Sequence, residues 1–191
     1  MKVAVTGANG FLGREVVRQL RARGDQVIAV TRRPDPEFAQ GGVENRLADL
    51  RDAAKTAAAL QGADAVIHTA AVAGIWGPWK HYYESNTLGT QNVLDACGAH
   101  QIPRLVFSSS PSVTFAADDQ CNLAEDAPYA SQWLCGYPRS KALAEQAVLA
   151  ANEDDKLLTC ALRPHLIWGP GDQHLIPRLI ARARAGKLVQ V

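Results

Sequence analysis

Charge imbalance is missing from this chain. Twenty Lys and Arg residues against 19 Asp and Glu leave a formal net charge of +1 over 191 residues. That removes the electrostatic case for nucleic acid or an anionic membrane surface as a partner. Cysteine is sparse: Cys97, Cys121, Cys135 and Cys160 are the four, and none stands at C-x-x-C spacing. They read as reduced, mostly buried thiols of a cytoplasmic protein, and they exclude a disulfide framework or a thiolate metal cage. His68, His81, His100 and His174 show no metal-ligand spacing and read as structural or surface residues, so no metal is expected. No apolar run is long enough to cross a bilayer. The opening residues read as a strand, not as a secretory leader. Internal repeats, low-complexity segments and interdomain linkers are also lacking.

What is present is a hydrophobic fraction of 47%, enough for one well-buried domain. Its pattern is set from the first residues. Val3, Ala4 and Val5 form a short apolar run suited to a buried strand. Thr6 follows, then glycines at 7, 10 and 13 with Ala8 and Asn9 between the first two. From Phe11 the spacing of Phe11, Leu12, Val16, Val17 and Leu20 fits one face of a helix. Strand, glycine turn and helix together bring bare backbone N–H groups and a helix N-terminus to a pyrophosphate. Gly7 allows the sharp turn, Gly10 removes a Cβ that would block the phosphate, and Gly13 lets the helix lie close to the strand.

Strand and helix patterns then alternate to the end of the chain, which predicts a doubly wound parallel α/β sheet of Rossmann type. Strands are expected at Gln26–Thr31, weakly at Glu44–Ala48, and at Ala63–Thr69, Arg104–Ser108 and Leu157–Leu162. Helices are expected from Asp52 through Leu60, over Tyr82–His100, over Tyr137–Ala151 and from about His174 to Ala185. Ala70–Trp79 reads as a loop and Asp118–Leu134 as irregular.

A dinucleotide lies across the carboxyl ends of such strands. The second strand ends in Thr31, Arg32 and Arg33, where an NAD-binding protein usually offers a carboxylate. A guanidinium there matches a 2′-phosphate, so NADP(H) is favoured, with NAD(H) left open. Asp49, followed by Leu50, can accept from the adenine amino group or simply cap the next helix. Ala70 and Ala71 leave room for a ribose.

Tyr137 and Lys141 stand four residues apart, one turn along a helix face. An ammonium beside a phenol favours the phenolate and lowers its pKa. Ser108, Ser109 and Ser110 end a buried strand at the ligand edge, where a hydroxyl can hold a substrate oxygen. Glycine turn, serine-ended strand and Tyr/Lys helix in this order resemble the extended short-chain dehydrogenases and reductases. The G-x-x-G-x-x-G spacing suits that resemblance. It implies a catalytic set of Ser110 (Ser109 as second choice), Tyr137 and Lys141, with the family's structural asparagine at Asn86 in NTLGTQNVL. LRPHLIWGPGD resembles a later family segment with Trp168 in place of Tyr. By that likeness the backbone after Pro164 faces the nicotinamide, with His165, Leu166 and Ile167 beside it. His165 as a base is the lesser reading.

SSSPSVTF and AGIWGPW resemble the bacterial 3β-hydroxysteroid dehydrogenase-like subgroup, which includes reductases of long-chain 2-alkyl-3-oxoalkanoates. The resemblance implies a ketone or secondary alcohol on an apolar skeleton as substrate. Trp76 and Trp79 are candidates to line its pocket beside Ser110 and Ser112, or else anchor the loop to the domain. Sugar-nucleotide epimerases of the same family are the alternative. Pro111-Ser112-Val113 beside the catalytic hydroxyl argue against dehydration. A non-catalytic NADP-binding redox regulator is the alternative from another class, and the intact Ser110, Tyr137 and Lys141 argue against it. Homodimers are common among the extended enzymes, and the Tyr82–His100 helix is a candidate interface. Residues 1–170 are expected to form the nucleotide-binding domain. Residues 171–191 read as the start of a substrate-binding lobe whose remainder is largely missing.

Overall fold

The computed structural model describes residues 1–116, 120–172 and 175–188. Six parallel strands form one sheet in the order β3-β2-β1-β4-β5-β6. They are β1 (Lys2–Thr6), β2 (Gln26–Thr31), β3 (Glu44–Leu47), β4 (Ala65–His68), β5 (Arg104–Ser108) and β6 (Leu158–Leu162). Successive side chains alternate between the two faces, and two cores follow from that. Val3, Val5, Val27 and Ala29 pack with Val17 and Leu20 of α1 (Phe11–Ala22) and with Phe38 of α2 (Pro36–Gln40). Ala4, Ile28, Val66, Leu105 and Phe107 face the other way. They pack against α3 (Ala53–Leu60), α5 (Gly89–Ala99) and α6 (Gly136–Ala150). Both faces of the central strands are covered, which is why they read as apolar runs and not as alternating ones.

The expected parallel sheet is present, with three local differences. First, α2 was not foreseen. Five residues are too short to show a helical period, yet Pro36 starts the helix and the Asp35 carboxylate caps it by accepting from Glu37 N at 3.1 Å. Second, the long helix begins earlier than expected. Trp79 opens α4 (Trp79–Tyr82) after Pro78, so it lies in a helix and not a loop. A π-helical segment, Tyr83–Leu88, joins α4 to α5. Third, only Cys97 is buried, whereas Cys121 and Cys160 are exposed. Leu158, Cys160 and Leu162 lie on a face of the edge strand β6 that no described helix covers, so the expectation of mostly buried thiols fails there.

Residues 120–134 are irregular as expected, and Asp118 lies outside the described residues. The last helix, α7 (Leu175–Arg184), buries none of its residues. His174 and residues 189–191 also lie outside the described residues. No described helix is long and apolar enough to cross a membrane.

The strand order reverses between β1 and β4. Thr6 and His68 face each other in register there, at the carboxyl ends of the two strands. A crevice opens at such a reversal, and ligands of open α/β sheets bind there.

Candidate active site

The glycine turn is built against its surroundings. Gly7 has φ +67°, and a Cβ on it would come within 2.8 Å of the Ala70 backbone. A Cβ on Gly13 would lie 2.1 Å from the Gly7 carbonyl oxygen, so α1 can start on top of the turn only with glycine at that place. Gly10 is the N-cap of α1 and has no side chain to satisfy the first-turn amides, which leaves them for a ligand. Gly7, Asn9 and Gly10 line a cleft of about 200 Å³. Thr31, Arg32, Asp49, Leu50, Ala70 and Ala71 line it as well. Cβ-free backbone, uncapped amides and a guanidinium in one cleft fit a dinucleotide.

Not every expected cofactor residue lines this cleft. Thr6 is fully buried beneath it. Arg33 is exposed and outside the lining, and its carbonyl accepts from the Thr31 hydroxyl at 2.7 Å. Asp49 is held by Arg51, whose Nη2 lies 2.6 Å from its Oδ2. That partner pulls the Asp49 carboxyl down to about 2. Arg51 is a cleft residue that the sequence reading missed, two places beyond Asp49.

A second, larger cleft of about 960 Å³ adjoins the first and shares Thr69 and Ala71 with it. Ser108, Ser110, Ser112, Tyr137 and Lys141 line it, together with Leu12, Pro164, His165, Leu166 and Ile167. His165 is exposed at the rim. The structure therefore brings the serine-ended strand and the Tyr/Lys turn to one cavity, continuous with the glycine cleft. Trp76 and Trp79 are not in its lining. Trp76 is exposed. Trp79 packs against Tyr83 (centroids 5.5 Å apart) and carries the Arg139 guanidinium 4.5 Å over its ring. Phe115, Gln120 and Leu123 stand in the cleft instead.

Within the cleft, Ser110 Oγ lies 2.8 Å from Ser112 Oγ. Burial raises the Tyr137 phenol above its ordinary value, and the Ser110 hydroxyl beside it pulls the other way. Burial thus decides the direction, opposite to the lowering expected from Lys141. The ammonium itself has other partners: Lys141 Nζ donates to Ser108 O at 2.7 Å and lies 4.0 Å over the Phe107 ring. Lys141 is itself 2% exposed, and burial lowers it to about 7, against the opposing charge of Glu145.

Two supporting networks were not read from the sequence. Glu145, one turn beyond Lys141, is buried and accepts from the Ser109 hydroxyl, from Tyr129 at 3.0 Å and from Arg163 at 2.6 Å. The i, i+4 spacing from Lys141 was the available signal. Asn86 does not line either cleft. Its amide spans Val72 N (2.7 Å) and Val72 O (2.9 Å) and donates to Ser140 Oγ at 2.9 Å. It lies in the π-helical segment, a departure from the α-helix often found at functional sites.

The profile of the 3-beta hydroxysteroid dehydrogenase/isomerase family matches residues 4–191. The 2-alkyl-3-oxoalkanoate reductase of Stenotrophomonas maltophilia (strain K279a) is 49% identical over 190 residues, covering 98% of this chain and 57% of the relative. The decarboxylating sterol-4-alpha-carboxylate 3-dehydrogenase of Homo sapiens is 38% identical over 188 residues, covering 98% and 50%. The solved structure of MoeE5 in complex with UDP-glucose and NAD superposes with a TM-score of 0.83 at 34% identity, covering 100% of this chain and 64% of the other. The chain spans about half the length of the curated relatives it matches.

Proposed function

The chain belongs to the 3-beta hydroxysteroid dehydrogenase/isomerase family, and we propose that it serves an NADP(H)-dependent interconversion of a ketone and a secondary alcohol on an apolar, 3-oxo-acid-like skeleton. The observation that carries this reading is the convergence of Ser110, Tyr137 and Lys141 on one cleft that continues into the glycine turn. Residues 1–170 form the nucleotide-binding domain in this reading, and the segment from 171 onward begins the part that encloses substrate.

The nicotinamide, when bound, exchanges a hydride with the carbonyl carbon. Ser110 holds the carbonyl oxygen by a hydrogen bond, which favours the charge that develops on it. Tyr137 gives its proton to that oxygen on reduction. A phenol held above its ordinary pKa keeps that proton at neutral pH, which suits the reducing direction. Lys141, one helical turn away in the same cleft, stands where its amine can hold a ribose hydroxyl of the nicotinamide nucleotide and pass a proton on to Tyr137. Arg32 at the end of β2 favours a 2′-phosphate, and the exposed Phe115, Leu123 and Leu166 favour an alkyl substituent in the larger cleft.

The solved sugar-nucleotide enzymes on the same fold, among them a UDP-galactose 4-epimerase at 26% identity and TM-score 0.81, favour epimerisation as the second reading. Oxidation of NADPH by a 2-alkyl-3-oxo acid, followed at 340 nm, separates the two. Tyr137→Phe is expected to cut that turnover by roughly 10²–10⁴-fold while NADPH still binds. Near-normal turnover by the folded variant, or turnover of UDP-sugars alone, overturns the reductase reading.

A further inference from the structure

We propose that His68 is a positioning residue that ties the glycine turn to the helix bearing Tyr137 and Lys141, and that it does so as the neutral Nε2–H tautomer. What it positions rests on the reductase reading above; its hydrogen bonding does not.

His68 ends β4 and is 1% exposed. Its Nδ1 lies 2.6 Å from Thr6 Oγ1, the last residue of β1 before Gly7. Its Nε2 lies 2.9 Å from Thr90 Oγ1 on α5. The Thr90 hydroxyl also lies 2.6 Å from Asn86 O, a carbonyl that can only accept. The Thr90 proton is therefore committed to Asn86, and the Thr90 oxygen must accept from Nε2–H. A neutral imidazole has one N–H, so Nδ1 accepts from the Thr6 hydroxyl, whose oxygen is left for the Ala70 N–H at 3.4 Å. Burial and the charge of Lys141 disfavour the imidazolium. Both neighbour the Phe107 ring, which lies 5.4 Å from the His68 ring and 4.0 Å from the Lys141 ammonium.

From Asn86 the bonding continues to the catalytic turn. The Asn86 amide donates to Ser140 Oγ at 2.9 Å, and Ser140 Oγ donates to Tyr137 O at 2.8 Å. The two nitrogens of one buried ring thus serve two different tasks. Nδ1 holds the strand end that feeds the pyrophosphate turn, and Nε2 holds the helix against which the Tyr137 backbone is set.

The two arms can be cut separately. The amide of Asn can reproduce the acceptor at Nδ1 but not the donor at Nε2, and that of Gln the reverse. The first measurement is a long-range ¹H–¹⁵N spectrum of the labelled chain, expected to show the Nε2–H pattern for His68. An Nδ1–H or doubly protonated pattern overturns the proposal. The second is NADPH affinity by fluorescence beside turnover of a 2-alkyl-3-oxo acid, for His68→Asn, His68→Gln and the near-isosteric Thr90→Val. His68→Gln is expected to weaken NADPH binding by roughly 10-fold, its larger effect, and His68→Asn and Thr90→Val to lower turnover by roughly 10-fold, theirs. Parallel losses of both quantities in both His68 variants overturn it, as does unchanged turnover in Thr90→Val. If the His68 variants do not fold, the spectrum and Thr90→Val decide. If the parent chain binds NADPH and reduces no such acid, the reductase reading fails, while the spectrum and the affinities still test His68.

Discussion

The hydroxyl of Ser109 donates to the buried carboxylate of Glu145, and this sets its surroundings apart from those of its neighbour Ser110. Both residues line the larger cleft. Only Ser110 is bonded to another cleft hydroxyl, Ser112, and stands beside the Tyr137 phenol. Adjacent serines with identical chemistry thus have different partners, one an internal carboxylate and the other a cleft hydroxyl.

The two serines should part on substitution. Ser110→Ala is expected to lower turnover by roughly 10²–10³-fold with little change in Tm, as for loss of an oxyanion donor. Ser109→Ala should instead destabilise by roughly 1–3 kcal/mol, because it leaves a buried carboxylate lone pair unmet. Thermal melting and steady-state rates on both variants read the difference. Equal catalytic losses would contradict it.

Glu145→Gln retains the shape of the side chain and removes the charge that faces Arg163. The Arg163 guanidinium then keeps its place with only neutral partners, a loss of roughly 3 kcal/mol for a broken buried pair. Urea denaturation measures this. A change below about 0.5 kcal/mol, the size of an exposed pair, would show that Arg163 turns out to solvent.

Arg32 lines the cofactor cleft and Arg33 does not. Arg32→Ala should weaken NADPH binding by roughly 10–100-fold, as for loss of a charge-assisted phosphate contact, and leave NADH affinity nearly constant. Arg33→Ala should alter NADPH binding much less. Titration of both cofactors against both variants is the check, and a larger effect from Arg33 would move the phosphate site.

Lys141 makes stability depend on pH. Its amine titrates near 7 in the folded chain and near 10.5 when unfolded, because burial disfavours the ammonium. Between those values the unfolded state binds more protons, so stability rises with pH from about 7 toward 10 by a few kcal/mol. Below pH 7 both states carry the ammonium and this contribution is flat. Denaturant midpoints at pH 7 and pH 9.5 should differ for the parent chain and converge for Lys141→Met. An equal rise in both would assign the effect to another group.

Much of the molecule is legible in the sequence. The apolar run at Val3–Val5, the change to helical spacing at Phe11 and the repeated alternation led to a parallel α/β sheet, and the sheet has that form. The glycine turn, the serine-ended strand and the Tyr137/Lys141 pair were visible for the same reason. Each is a local pattern, and strand and helix periods are properties of neighbouring residues. The five-residue α2 escaped because it is shorter than the period that would reveal it.

Tertiary structure alone decided the rest. Glu145 meets Ser109 and Arg163, and His68 meets Thr6 and Thr90, only because strand order and helix packing bring distant segments together. The direction of the Tyr137 shift depended on burial, and the Lys141 ammonium found its acceptor at the Ser108 carbonyl. The four-residue spacing carries no information about either. Sequence spacing determines which side chains share a face, whereas dielectric surroundings and long-range partners exist only once the chain has closed around them.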